Sequence, residues 1–396
     1  MEAARLRAPA ARRQPRPIEA GAICQLCIFA LSIARREAEG IQQVLHHRQL
    51  RTVYFLLPGA SGPGRAASQR IARDGKYAAG LAWRDGAPFR ALGGYGGRGT
   101  DLARAGRDRQ RGGKWTMRAI IDAHQHYWLL SRGDYGWLSP DGGLLYEDYL
   151  PERAAPELRA SGVRASVVVQ AAPTVAEAKY LLGLAEQEET IAGVVGWMDL
   201  ESPEFEETLT RLAAHPLFVG IRPDWPRDED GRLRLSERLR QSLRILAQRR
   251  FPVDLLMGAA QLPDAAKLLE AEPELRVVVN HIGGPTHREE DRDNWMKAMS
   301  DIASFPEAYC KLSGMITKVP KGADFVEALR PYVDHLVNVF GPSRLLFGSD
   351  WPVCRLAGEY ADTVTTLEAL IAGLPENARD DIFGGNAARV YRLQRI

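Results

Sequence analysis

Eight short apolar runs alternate with amphipathic segments of helical length between residue 117 and residue 396. The runs are rich in β-branched residues, and the segments between them repeat apolar positions at helical spacing. Glycine or proline marks the junctions from helix to strand, as at Gly162, Pro216 and Pro252. The pattern predicts strands at 119–126, 165–172, 191–200, 218–222, 253–257, 276–281, 308–312 and 344–350.

Seven helices are predicted between these strands. Alternating strands and helices, with strands apolar along their whole length, indicate a parallel sheet that is covered on both faces. Eight such units in about 280 residues fit a (β/α)8 TIM barrel better than an open Rossmann-type sheet, which would also need a glycine fingerprint. The predicted helices are 151–161, 176–187, 203–214, 235–249, 265–272, 295–304 and 325–340.

The first 116 residues lack this periodicity and differ in charge. They hold 21 Lys and Arg against 8 Asp and Glu, whereas residues 117–396 hold 31 against 42, so the net charge of +2 combines +13 with −11. Basic sequence without a pattern predicts a disordered extension at 1–116, followed by a catalytic domain at 117–396. We also expect natural translation to start at Met117, which would leave the extension unmade.

Cysteine usage and one apolar run bear on the cellular compartment. Cys24, Cys27, Cys310 and Cys354 are too few and too scattered for a disulfide framework, which favours a reducing environment. The run at 22–34 is shorter than the roughly 20 apolar residues that span a bilayer, and no cleavage site leads from it into a folded domain. We therefore expect a cytoplasmic protein without a membrane segment; the sequence indicates no oligomeric state.

Polar residues cluster where the predicted strands end, which is where active sites of barrels lie. Strand 1 ends with His124 and His126, and strict alternation would place both on one face together with Asp122. Two imidazoles at this spacing suit a divalent metal. Asp350 ends strand 8, the neighbour of strand 1 in a closed barrel, and a buried carboxylate there needs a metal or another partner.

Other strand ends carry groups that suit a polar substrate. His281 follows strand 6 as a third imidazole, Arg222 ends strand 4, and Lys311 lies in strand 7. The two cations are candidates to bind a substrate carboxylate or a developing oxyanion, with a salt bridge across the barrel as the alternative. Trp128 and Trp351 are candidates for the wall of a substrate pocket, although such residues also serve in packing.

Residues 117–396 resemble the amidohydrolase-related branch of the metal-dependent hydrolase superfamily, close to the sugar lactonases that open L-fuconolactone or L-rhamnonolactone. The resemblance covers essentially all of this part of the chain and none of residues 1–116. The matching stretches are DAHQHYW at 122–128, VQAAP at 169–173, GVVGWMD at 193–199, GIR at 220–222, KLSG at 311–314, LFGSDWPVC at 346–354 and FGGNAARVY at 383–391.

The resemblance implies roles for four residues. His124 and His126 would be metal-site residues, Asp350 would be a metal ligand and the proton-transfer residue, and His281 would be a ligand or would polarise the substrate. One divalent metal, zinc, is expected, and catalysis without a metal stays open because one branch of these lactonases is thought to need none.

Two departures from the family pattern limit what the resemblance implies. Binuclear members use a carboxylated lysine on strand 4 and a histidine on strand 5, where this chain has Arg222 and the stretch 257–261, so two metals are not expected. Lactonases of this group often carry Asp-His-x-Gly-Lys-Pro after strand 6, and here Asn280 and Gly284 replace the acid and the lysine. The identity of the substrate is therefore open.

The expected function is hydrolysis of a lactone of a sugar acid or a related carboxylate. Asp350 would take a proton from a water held near His124 and His126, and the partner would be a small molecule. A decarboxylase of the same superfamily is the alternative. Binding of nucleic acid through the Arg-rich tract at 98–111 is a lesser alternative, because the tract lacks interleaved aromatic residues, and we expect no nucleic-acid partner.

Overall fold

The computed structural model describes residues 120–286 and 288–396. Within these residues eight parallel strands form one sheet in the order β1 to β8, which confirms the predicted (β/α)8 barrel. The predictions for residues 1–116, and the proposed start at Met117, lie outside the described residues. The strands are β1 (Ile120–Gln125), β2 (Val163–Val169), β3 (Ile191–Gly196), β4 (Phe218–Ile221), β5 (Val253–Leu255), β6 (Val277–Val279), β7 (Ala308–Leu312) and β8 (Leu345–Phe347).

The barrel closes between β1 and β8 through backbone hydrogen bonds just beyond the carboxyl ends of the strands. The N–H of His126 donates to the carbonyl oxygen of Trp351, and the N–H of Asp350 donates to the carbonyl oxygen of His124, both at 2.8 Å. We call this pair of bonds the seam. Because the seam joins the segments that carry His124, His126 and Asp350, closing the barrel also brings these three predicted site residues together.

The seven predicted helices are present, and the structure adds helices after β8 that the sequence analysis did not predict. Helix α8 (Tyr360–Leu370) buries Thr363, Val364 and Thr366, whose β-branched side chains weaken the helical signal in its sequence. No helix in the described part of the chain is long and apolar enough to cross a membrane. The helices are α1 (Pro151–Ala160), α2 (Val175–Gln187), α3 (Phe205–Ala213), α4 (Glu237–Gln248), α5 (Leu262–Ala271), α6 (Glu289–Ala303), α7 (Phe325–Phe340), α8 (Tyr360–Leu370), α9 (Glu376–Asp380) and α10 (Asn386–Val390).

The apolar core has two layers. A large cluster lies between the sheet and the helices, and a smaller one contains residues from strands on different sides of the barrel, which places it inside. Val390 and Tyr391, at the end of α10, belong to the inner cluster. The inner cluster also includes Ile121, Ala123, Val167, Val169, Val195, Val219, Val278 and Leu346.

The expectation that Asp122 shares one face of β1 with His124 and His126 is wrong, because the register of β1 shifts. Asp122 pairs with Ser166 and Gln125 with Val168, so three steps along β1 match two along β2. The carboxyl of Asp122 consequently accepts hydrogen bonds from the Tyr360 hydroxyl of α8 at 2.7 Å and from the side chain of Gln125 at 2.8 Å. Asp122 therefore fastens β1 to its outer neighbours, and it does not join the two histidines.

Candidate functional site

Three predicted site residues converge at the carboxyl end of the barrel. The Nε2 atoms of His124 and His126 lie 3.2 Å apart, and Oδ1 of Asp350 lies 3.7 Å from the first and 3.3 Å from the second. All three side chains are buried. The arrangement depends on the seam, because the backbones of β1 and of the segment after β8 are bonded directly beside these side chains.

The ring of His126 is oriented by β2. Its Nδ1 lies 2.8 Å from the carbonyl oxygen of Val169, which can only accept, so Nδ1 carries the proton and donates it. The lone pair of Nε2 is then directed at Asp350 and His124. Burial lowers the pKa of His126 despite the neighbouring carboxylate of Asp350, so the ring is neutral at neutral pH.

Two cationic side chains flank the ring of His124. The Nζ of Lys311 lies 3.4 Å from its Nδ1, and the guanidinium of Arg222 lies 3.4 Å from its Nε2. Burial, reinforced by the charge of Lys311, holds the pKa of His124 well below its ordinary value. A proton on this ring is disfavoured, so His124 also offers a neutral imidazole to the site.

Lys311 belongs to a polar layer beneath the site. Its Nζ lies 2.5 Å from Oδ2 of Asp254 on β5, and both side chains are fully buried. Asp254 also accepts hydrogen bonds from the Tyr391 hydroxyl at 2.6 Å and from the Asn280 amide at 3.0 Å. The salt bridge that was the alternative for Lys311 is therefore present. A direct contact between Lys311 and substrate stays a prediction.

Arg222 is held by the end of β2. One guanidinium NH2 group donates to the carbonyl oxygen of Gln170, and the amide of Gln170 donates to the carbonyl oxygen of Arg222 at 3.1 Å. The side chain is 1 % exposed. The guanidinium fixed in this way has one nitrogen 3.4 Å from Nε2 of His124.

His281 approaches the group from the segment after β6. Its Nε2 lies 3.9 Å from Oδ1 of Asp350, and its Nδ1 lies 3.1 Å from the hydroxyl of Ser313. Burial lowers the pKa of His281 to about 3, so the ring is neutral at neutral pH. A Cβ added to Gly314, whose φ is +56°, would lie 2.6 Å from Nδ1 of His281. Glycine is therefore required there both for its backbone conformation and for the space that the imidazole occupies.

The backbone is strained at two of the four converging residues. Asp350 has φ of +62° and His281 has φ of +53°, in the left-handed region that costs ordinary residues free energy. Burial alone would raise the pKa of Asp350, but His281 and the charge of Arg222 help to hold it below its usual range. Asp350 is therefore a carboxylate at neutral pH and can accept a proton.

The two predicted tryptophans lie behind the strands and away from the converging groups. Trp128 and Trp351 are each fully buried, and both rings pack edge to face against Tyr149, at centroid distances of 5.1 and 5.3 Å. The indole N–H of Trp128 donates to the carbonyl oxygen of Glu147 at 2.7 Å. These contacts are those of packing residues, and contact with a substrate stays a prediction for both.

His124, His126 and Asp350 fit a divalent metal by the chemistry of their donors. Each offers one ligand atom, and the three atoms lie within 4.8 Å of one another. Metal ligation needs neutral imidazoles, which the lowered pKa values of both histidines supply. The bond from His126 Nδ1 to Val169 is the kind of outer contact that orients a ligating histidine. Two imidazoles and a carboxylate leave room for water, as in a catalytic zinc site.

Two buried acids near the site were not predicted from the sequence. Asp254 interrupts the apolar strand β5, and an acid in the middle of an apolar strand is a signal that could have identified it. Glu177 lies in the first turn of α2 and is fully buried, where its position resembles an ordinary capping contact. Nothing local in the sequence distinguishes Glu177 from a surface acid.

Sequence comparison places the described barrel among known proteins. The profile of the family described as Amidohydrolase matches residues 121–393. The chain is 36% identical over 287 residues to an L-fucono-1,5-lactonase of Burkholderia ambifaria, which covers 69% of this chain and 96% of that protein. It is 34% identical to an L-fucono-1,5-lactonase of Burkholderia multivorans, again with 69% and 96% covered.

Comparison with solved structures agrees with the sequence relatives. An amidohydrolase from Burkholderia multivorans with bound zinc is 33% identical, has a TM-score of 0.63, and covers 69% of this chain and 99% of that one. A 2,6-dihydroxybenzoate decarboxylase complexed with 2,6-dihydroxybenzoate also matches, at 15% identity and a TM-score of 0.52 over 70% of this chain and 100% of that one. At that identity the likeness to the decarboxylase concerns the fold alone.

Proposed function

The chain belongs to the amidohydrolase family, and from that membership we propose that L-fucono-1,5-lactone, or a lactone of a closely similar sugar acid, is its substrate. It is a hydrolase that opens a sugar lactone, like the relatives it matches over almost their whole length. One observation of the structure carries the chemistry: Oδ1 of Asp350 lies within 3.9 Å of three imidazole nitrogens. A carboxylate in that position can act on a water molecule.

Asp350 is the proposed general base and, later, the general acid. Its lowered pKa keeps it ionised at neutral pH, and its burial beside neutral imidazoles leaves it ready to accept a proton from an attacking water. The water oxygen forms a bond to the lactone carbonyl carbon, and the proton moves to Asp350. When the tetrahedral intermediate collapses, the bond to the ring oxygen breaks and Asp350 returns the proton to that oxygen. The product is an open hydroxy acid.

Arg222 and His281 are proposed to stabilise the negative charge that develops on the carbonyl oxygen. Arg222 carries a permanent charge and is fixed by the backbone of β2, so little reorganisation is needed during the reaction. His281 faces Asp350 from the other side of the site. Lys311 is proposed to act one layer below, through His124, since its Nζ contacts Asp254 and Nδ1 of His124.

His124, His126 and Asp350 are proposed to hold one zinc ion. A bound zinc lowers the pKa of water and polarises a carbonyl. The contribution of the chain is to supply two neutral imidazoles and one carboxylate on a rigid seam. That a similar amidohydrolase was crystallised with zinc supports zinc as the first metal to test.

The decisive experiment is a screen of sugar-acid lactones with a pH indicator that reports released acid, run with and without a chelator. We expect L-fucono-1,5-lactone to be opened faster than lactones of other sugar acids. The chelator arm reports whether a metal contributes. Failure to open any sugar lactone would reject the proposed substrate, and release of carbon dioxide from an aromatic or unsaturated acid would favour the decarboxylase alternative.

A further inference from the structure

The end of β2 touches two different site residues through its backbone. The carbonyl oxygen of Val169 accepts a hydrogen bond from His126, and the carbonyl oxygen of Gln170 accepts one from Arg222. The two carbonyls belong to consecutive residues, so a rotation of this short segment would move both contacts. The positions of the His126 and Arg222 side chains therefore depend on the contacts that hold this segment in place.

Two side chains hold the next residue, Ala171, from both sides of its backbone. Both carboxyl oxygens of Glu177 lie close to the N–H of Ala171, at 2.9 and 3.1 Å, and the indole N–H of Trp137 donates to the carbonyl oxygen of Ala171 at 2.7 Å. Glu177 is itself fixed in the first turn of α2, where its N–H donates to the hydroxyl of Thr174. The end of β2 is thus anchored to α2 and to the long segment after β1.

Placing Glu177 at this position costs folding free energy, because its carboxyl group is removed from water. It is fully buried, and within residues 120–286 and 288–396 its carboxyl forms no ion pair. Burial raises its pKa to about 8, so the side chain is largely a neutral acid at neutral pH. A leucine would fill the same space without this penalty, but it would leave the N–H of Ala171 buried and unpaired. What Glu177 contributes is therefore an oxygen that accepts the hydrogen bond from Ala171.

We propose that Glu177 is a positioning residue for lactone hydrolysis: by holding the N–H of Ala171, it fixes the end of β2 so that Val169 and Gln170 orient His126 and Arg222. The inference rests on the proposed function for its activity readout. It assigns Glu177 no contact with substrate.

The first test compares two substitutions at position 177 on L-fucono-1,5-lactone. Glu177→Gln keeps an acceptor oxygen and resembles the neutral acid in size and shape, so we expect kcat to stay within about threefold of the wild type. Glu177→Leu removes the acceptor, and we expect kcat to fall by about tenfold to a hundredfold, the scale of small displacements at a catalytic site. Equal activity of the wild type and the Leu variant, or equal loss in both variants, would overturn the proposal.

A second variant keeps the proposal testable if Glu177→Leu does not fold. Trp137→Phe removes the donor to the carbonyl oxygen of Ala171 and keeps an aromatic ring, and we expect a smaller fall in kcat in the same direction. Ser242→Ala is the matched control, because it removes a buried bond of the same kind, from Ser242 Oγ to the carbonyl oxygen of Leu200 at 2.7 Å, away from the converging residues. If Ser242→Ala and Trp137→Phe lowered kcat equally, positioning would be rejected.

A readout that does not depend on activity separates this inference from the proposed function. In the ¹⁵N spectrum of the imidazoles, His126 of the wild type should show its proton on Nδ1, because that atom donates to Val169. The Leu variant should lose this preference and the Gln variant should keep it. A wild type that opens no sugar lactone but shows these spectra would reject only the substrate. An unchanged His126 signal in a folded Leu variant would reject the positioning role.

Discussion

Lys311 and Asp254 form an ion pair inside the barrel, with Nζ and Oδ2 2.5 Å apart and neither side chain exposed. The pair joins β7 to β5 across the interior and lies directly beneath His124, whose Nδ1 is 3.4 Å from the same Nζ. A buried pair of this kind contributes little net stability, because desolvation offsets the attraction, yet removing one partner is costly. The pair therefore holds the ring of His124, a proposed metal ligand, from below.

We expect Lys311→Met to lower the free energy of unfolding by about 3 to 5 kcal/mol, because Asp254 is left as an uncompensated buried acid. The double variant Lys311→Met, Asp254→Asn should recover much of this loss. Urea denaturation of the two variants measures both effects. Lys297→Met is the control, since its pair with Asp301 is largely exposed and its removal should change stability by roughly 0.5 kcal/mol or less. A Lys311→Met protein as stable as the wild type would contradict the structural role of the pair.

Asp350→Asn should abolish most of the lactone-opening activity. The amide cannot accept the proton of the attacking water, and the loss of a general base costs about a hundredfold to ten-thousandfold in rate. We expect the melting temperature to fall modestly, because the lowered pKa of Asp350 means that its surroundings favour the carboxylate in the folded protein. Steady-state kinetics and calorimetry on the same sample check the two statements. Near-normal activity of the Asn variant would exclude Asp350 as the base.

Zinc added to metal-depleted protein should bind once per chain, and His126→Asn should weaken that binding by at least about tenfold. The expectation follows from the three ligand atoms that His124, His126 and Asp350 bring together. Isothermal titration calorimetry measures the affinity directly, without reference to activity. His215→Asn serves as the control, because His215 lies at the surface beside Glu186. Equal zinc affinity in the wild type and in His126→Asn would place the metal elsewhere.

Gly314→Ala should damage both stability and activity, whereas Gly162→Ala should damage stability alone. Both glycines have positive φ, +56° and +72°, so alanine costs about 1 to 2 kcal/mol at either position. Only at Gly314 would the added Cβ also press on a site residue, at 2.6 Å from Nδ1 of His281, while nothing lies within 4 Å at Gly162. We expect kcat to fall by about tenfold or more in the first variant only. Equal kcat in both variants would mean that the position of His281 does not matter.

Glu177 should make stability depend on pH in a direction opposite to that of an ion-paired acid. Its pKa is raised to about 8 in the folded protein from an ordinary value of 4.5, so between these values unfolding releases its proton. The wild type consequently loses stability as pH rises from 4.5 to about 8, and the loss levels off above. Relative to wild type, Glu177→Gln should gain up to about 4 kcal/mol between about pH 5 and pH 8.5. A difference in unfolding free energy that is constant with pH would show that Glu177 is ionised in the folded state.

Most of the barrel could be predicted because its strands are runs of branched apolar residues, as in the VVV of β6. The helix after β8 could not, since its buried face includes Thr363 and Thr366 and so reads as polar. Which side chains of β1 share a face could not be predicted either. A bulge depends on how two strands pair, and nothing in the residues 122–125 records the register of β2.

The converging site could be predicted for a related reason. His124 lies near the end of an apolar strand, and His126, His281 and Asp350 each follow one. The fold brings the ends of all strands to one rim. The supporting acids could not be identified in this way, because their partners are distant in sequence. Asp254 and Lys311 are 57 residues apart, and the contact of Glu177 with Ala171 looks local until the contacts of Val169 and Gln170 are known. A residue that acts only by positioning another residue has no recognisable sequence pattern of its own.

The seam has a consequence for how the protein is made. Its two bonds join residues 124–126 to 350–351, and the side chain of Asp122 reaches Ser349 across 227 positions of sequence. During synthesis β1 emerges first and has no partner on that side until the segment after β8 has left the ribosome. A nascent or prematurely terminated chain therefore lacks the acid that opposes the histidines. Lactonase activity in a cell extract would therefore come only from polypeptides in which β1 has paired with the segment after β8.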